Sequence, residues 1–119
     1  MSDDDLSDLN VFKMKRWFKL ALKQTQKSTH SKHKVGAVII KGGAVLSAAH
    51  NRGAWWRCGE LRAIKIKGNY EGATILVARS NMGCSRPCIR CQKVIKEAGI
   101  KSMGYINKQG NFVLEKVEV

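Results

Sequence analysis

At 119 residues the chain has room for one hydrophobic core and excludes two independently stable halves. With 44% hydrophobic residues, a single Pro and no low-complexity tract, it is neither a disordered nor a fibrous chain. Four of its nine acidic residues fall in the first eight positions, so residues 9–114 carry 21 Lys and Arg against three Glu, a surface that suits phosphates and repels cations.

In chain order, residues 1–8 form an acidic and mobile N-terminus on a single domain spanning 1–119. They lack the basic-then-apolar order of a secretory signal, and no run reaches the ~18 apolar residues of a membrane span. A soluble, cytoplasmic protein that does not engage membranes is expected. Val11, Met14, Phe18 and Ala21, with Trp17 and Leu22 beside them, repeat at three- and four-residue spacing, which predicts an amphipathic helix over 9–27. Lys13, Lys15, Arg16, Lys19 and Lys23 form its wet face. Residues 35–40 read as a buried strand, and Gly42-Gly43 as a two-residue turn into an antiparallel strand over 44–49. A second helix is predicted over 58–67, stopped by Gly68, then a strand over 74–78. A third helix spans 88–98, stopped by Gly99. Strands over 100–106 and 112–117 close the chain as a hairpin, because the five residues between them are too few for a crossover helix. The order is α-β-β-α-β-α-β-β, an α/β arrangement with helices flanking a five-stranded mixed sheet.

Strand-helix-strand units cross over right-handed and hold ligands beyond the C-terminal ends of their parallel strands. Cys58 and Cys88 both stand at predicted helix starts of that kind. In Pro87-Cys88-Ile89-Arg90-Cys91 two thiols stand two residues apart where helix N–H groups favour the thiolate that zinc needs. In a reducing cytoplasm such cysteines are metal ligands sooner than disulfides. Cys58-Gly59-Glu60 adds a third thiol and, two positions on, a carboxylate. Three protein ligands leave tetrahedral zinc open to a water whose proton the carboxylate can move.

Cys58-Gly59-Glu60 followed by Pro87-Cys88-Ile89-Arg90-Cys91 resembles the signature of the zinc-dependent cytidine/deoxycytidylate deaminase superfamily in type, order and spacing. Val35-Gly36-Ala37, Asn51, Leu61-Arg62-Ala63-Ile64 and Ala98-Gly99-Ile100 are similar to that family as well. The resemblance implies a three-layer cytidine-deaminase-like fold, Zn2+ held by Cys58, Cys88 and Cys91, and Glu60 as the proton shuttle in converting cytosine to uracil. It also implies that Asn51 bonds the sugar or base, and that the protein forms a homo-oligomer.

Trp55 and Trp56 lie on a segment that rims the pocket in this family, where either can stack on a base. Packing is their bland alternative. His33 stands where free cytidine deaminases carry an aromatic residue, and solvation is its ordinary fate. Where the free-cytidine branch follows its asparagine with a glutamate that grips the ribose, this chain has Asn51-Arg52-Gly53-Ala54. Arg52 and Arg57 suit a phosphate better than a bare sugar, which favours a cytosine nucleotide of the CMP or dCMP type over a nucleoside. Two rivals stand beside this reading: a deaminase of cytosine in single-stranded DNA or RNA, and a non-catalytic zinc module that binds nucleic acid. Cys84 raises the related possibility of a closed four-thiol site with Cys58, Cys88 and Cys91, which would leave Glu60 without a role.

Overall fold

The computed structural model describes residues 8–27, 34–50, 70–81, 83–87 and 89–117. Strand β1 (Val35–Lys41) is buried along all but its last residue, as an unbroken apolar run must be when a sheet is covered on both faces. It pairs antiparallel with β2 (Ala44–His50) on one side and with β3 (Thr74–Arg79) on the other. β3 pairs in parallel with β4 (Ser102–Ile106), and β4 pairs antiparallel with β5 (Phe112–Lys116), giving the five-stranded order β2-β1-β3-β4-β5. Gly42 and Gly43 make the β1–β2 turn with φ of 58° and 78°, the two left-handed residues that a type I′ hairpin requires.

Alternate strand residues address opposite faces of the sheet. Val35, Ala37, Ile39, Ile75 and Met103 join Ile95 of helix α2 (Ile89–Glu97) in one core cluster. Val38, Ile40, Leu76 and Ala78 join Phe18 and Ala21 of helix α1 (Asp8–Thr25) in the other. The result is the mixed five-stranded sheet between helices that the sequence predicts. The helix expected over 58–67 lies outside the described residues. α1 turns Phe18 and Ala21 inward and leaves Lys15, Arg16, Lys19 and Lys23 exposed, as its periodicity requires. One boundary moves: β4 begins at Ser102 and not at residue 100, because the Ile100 N–H still bonds the Ile95 carbonyl and so belongs to the close of α2.

The contact that seats α1 on the sheet is made at Gly36. A Cβ there would lie 2.7 Å from both the Gln24 Cβ and the Thr25 nitrogen, and it would also collide with the Ala21 carbonyl. Two of these three obstacles are helix backbone, which a rotamer change cannot move. Gly36→Ala is therefore expected to lower stability by about 2–3 kcal/mol, as overpacking does when backbone must yield. An unchanged denaturant midpoint for that variant would show that α1 does not lie this close to β1.

Candidate active site

Gly36 pairs with His50 and Val35 with Arg79, so the start of β1, the end of β2 and the end of β3 lie side by side at one end of the sheet. In the sequence His33 stands two residues before β1. Asn51, Trp55, Trp56, Arg57, Cys58 and Glu60 follow His50, and Cys88 directly precedes α2. These eight residues lie outside the described residues, but the chain ends that lead to His33, to Asn51 and to Cys88 share that end of the sheet. Cys91 is described: it is the third residue of α2 and has no exposed surface. This is the C-terminal end of the parallel pair β3–β4, where a right-handed crossover opens a crevice.

The segment before Cys88 is held in place by hydrogen bonds. β3 and β4 are in register only from Thr74↔Ser102 to Leu76↔Gly104. Beyond that, Ser85 fills the gap: its Oγ donates to the Val77 carbonyl at 2.8 Å and accepts the Ile106 N–H at 2.9 Å. Its own N–H bonds the Ile106 carbonyl at 2.9 Å. Arg79 Nη1 donates to the Cys84 carbonyl at 3.3 Å, and Gln92 Nε2 donates to the Pro87 carbonyl at 2.7 Å. Residues 84, 85 and 87 are thus tied to β3, β4 and α2. On the other side of the same end, His50 Nδ1 lies 3.4 Å from Gln24 Oε1, linking the last residue of β2 to α1.

Arg86 belongs to a polar cluster that sequence reasoning misses. Its Nε donates to the Tyr105 hydroxyl at 3.3 Å and its Nη2 lies 3.2 Å from Glu115 Oε2, while the Tyr105 hydroxyl donates to Glu115 Oε1. The Tyr105 hydroxyl holds the Glu115 carboxyl below the usual carboxylate range. Burial, and then the bond to Glu115, raise the Tyr105 phenol above its ordinary value. A lowered carboxylate adds stability at neutral pH and loses it as pH falls through and below the ordinary carboxylate range. Arg86 and Glu115 are 45% and 37% exposed, so their ion pair contributes at most about 1 kcal/mol and serves chiefly to fix geometry. The partners are 19 and 29 residues from Arg86 in the chain, and no local pattern announces them.

Among the described residues no three metal-ligating side chains stand together, since two of the three expected zinc ligands lie outside them. The chemistry of the donors fits zinc. A thiolate as buried as Cys91 requires a cation beside it, and the first helical turn contributes its own positive potential. Cys84 is half-buried on the segment that leads to Cys88. Among the described residues no helix is long and apolar enough to cross a membrane.

The profile of the cytidine and deoxycytidylate deaminase zinc-binding region matches residues 12–107. No curated protein matches the chain. Among solved structures, the apo dCMP deaminase from cyanophage S-TIM5 is similar at 23% identity and a TM-score of 0.58, over 75% of this chain and 78% of that one. The cyanophage enzyme is also solved in complex with dCMP and dUMP. The cytidine deaminase from Burkholderia pseudomallei is 22% identical with a TM-score of 0.64, over 84% of this chain and 89% of its own. RibD from Acinetobacter baumannii is 21% identical with a TM-score of 0.63, over 79% of this chain but only 28% of RibD. At these identities the likenesses establish a shared fold.

Ser85 generates a prediction about this end of the sheet. Ser85→Ala strands the buried Ile106 N–H, which costs about 1–3 kcal/mol, while the Arg86 cluster stays intact. Amide hydrogen exchange should then quicken at Ile106 and along 83–87 more than at β1. Uniform change across the sheet would show that Ser85 does not anchor this segment.

Proposed function

The chain belongs to the cytidine and deoxycytidylate deaminase family, and on that footing we propose that it is a zinc-dependent hydrolytic deaminase of a cytosine mononucleotide, CMP or dCMP. The observation that carries the reading is the meeting of three strand ends beside the buried Cys91, since every residue of the proposed site is attached to that end of the sheet. Cys58, Cys88 and Cys91 would hold zinc, which when bound supplies Lewis-acid activation of the attacking water.

The chain's own residues manage the protons and the substrate. Glu60 takes a proton from the water and delivers it to the ring nitrogen beside the amine-bearing carbon. The same carboxyl then passes a proton to the departing amine, so that cytosine and water become uracil and ammonia. Asn51 hydrogen-bonds the sugar or base, and Trp55 or Trp56 stacks on the ring with His33 beside it. Arg57, with Arg52, takes the phosphate as a bidentate charged partner. The preference for a nucleotide is supported by these arginines, by the basic composition and by the fold shared with a dCMP deaminase that binds dCMP and dUMP. The excess of 21 Lys and Arg over three Glu in residues 9–114 favours a second reading, cytosine within single-stranded nucleic acid.

Ammonia release from cytidine, deoxycytidine, CMP, dCMP and a cytosine-bearing single-stranded oligonucleotide separates these readings. The phosphorylated monomers should exceed the nucleosides by about tenfold or more in kcat/KM, because a charged hydrogen bond is worth about 1.5–3 kcal/mol. Glu60→Ala should lose about 100-fold or more in turnover while keeping its zinc. Oligonucleotide as the best substrate would replace the mononucleotide reading with the polymer one. No release from any of them by zinc-loaded protein would leave the non-catalytic zinc module. Cys84→Ser should bind zinc with unchanged affinity, whereas a large loss would place Cys84 among the ligands and close the site to water.

A further inference from the structure

At the other end of the parallel strands, away from Cys91, a cavity of about 130 Å³ lies between α1 and the sheet, lined by Trp17, Lys41, Thr74, Lys101 and Ser102 among others. Thr74 and Ser102 open β3 and β4 and pair with each other across the parallel ladder. Their hydroxyls share one hydrogen bond of 2.7 Å. They are 5% and 2% exposed, so bulk water does not reach them freely.

Two hydroxyls carry two protons, and the bond between them uses one. Whichever oxygen donates, the other keeps a proton for which the described residues supply no acceptor. A buried donor left in that state costs about 1–3 kcal/mol, so an acceptor belongs there. The lining includes two Lys and no Asp, Glu or His. Lys101 is fixed at its base, its N–H bonding the Ala73 carbonyl and its carbonyl accepting the Val117 N–H. Lys41 caps the last position of β1 beside the Gly42-Gly43 turn, and Gly72 leaves room for its ammonium. The volume is several times the roughly 30 Å³ of one water.

From the leftover hydroxyl proton beside two ammonium groups we infer a second binding site, for a phosphate oxyanion, at the end of the sheet opposite the catalytic centre. The oxyanion accepts from the Thr74–Ser102 pair and is neutralised by Lys41 and Lys101. Free phosphate and the phosphate of a nucleotide lying along Trp17 share this chemistry.

The test is an amide chemical-shift titration of the zinc-loaded full chain, first with inorganic phosphate and then with AMP, at fixed ionic strength. Saturable shifts confined to Lys41, Gly72, Thr74, Lys101 and Ser102 are expected, with Lys41→Gln weakening them about tenfold. Lys108→Gln, on the exposed β4–β5 hairpin, removes the same charge and should change them less than twofold. Tighter binding of AMP at these positions assigns the site to a nucleotide phosphate, and equal binding assigns it to the free ion. The inference is overturned if neither ligand gives saturable shifts there, or if both Lys variants weaken binding equally. In either case water satisfies the hydroxyl and the attraction is diffuse.

Discussion

The antiparallel pairing of β1 with both β2 and β3 constrains everything that can happen at the metal-binding end of this protein. Gly36 lies opposite His50 on one side and Ala78 on the other, so a single register fixes where three chain segments leave the sheet. A slip of one residue on either side would turn every side chain of that strand to the wrong face. Both faces of β1 are buried, so neither slip is tolerated. The same Gly36 takes the close approach of α1, whose Gln24 reaches His50, the residue before Asn51. Helix packing and strand register are therefore coupled at the point where the proposed substrate-binding segment begins.

A second level of control is polar, and burial decides which of its contacts matters most. Ser85 is buried and bridges β3 and β4 where their ladder stops, so its hydroxyl has no water to fall back on. Arg86, its neighbour, makes more bonds but makes them in partial contact with solvent, where charge pairs are worth little. Ser85 thus sets the position of the chain that leads to Cys88, while Arg86, Tyr105 and Glu115 limit how far that chain can turn. A metal site built from ligands distant in sequence depends on such supports, since its affinity follows how well the ligands are held before the ion arrives.

The architecture was readable in the sequence wherever the signal was local. The unbroken apolar run of β1, the Gly42-Gly43 turn and the three- and four-residue spacing in α1 each state a period that only one element satisfies. The family signature was readable for the same reason, being two short motifs in fixed order. Ser85, the Arg86–Tyr105–Glu115 cluster and the Thr74–Ser102 hydroxyl pair were not, because each joins residues eight to 29 positions apart through the tertiary fold. Nothing in the composition of β3 or β4 distinguishes a serine that bridges two strands from one that faces solvent. The roles of Cys58, Glu60, Asn51 and the tryptophan pair rest on the motif and its chemistry.

The basic character of the chain acts differently at its two scales. Spread over the surface, the excess of Lys and Arg raises the local concentration of any phosphate compound and speeds encounter, an effect that fades once charges lie beyond a Debye length of about 8 Å at physiological salt. Such a field cannot orient a base against a metal, because it has no direction on the scale of a hydrogen bond. Orientation requires donors whose positions the fold has fixed in advance, and these come from strand ends and helix starts rather than from flexible lysines. The parallel pair β3–β4 supplies both kinds of end: at its C-terminal side the crevice that leads to Cys91, and at its N-terminal side two hydroxyls held face to face. Charge brings phosphates to this protein, and the polarity of one strand pair gives them distinct places to bind.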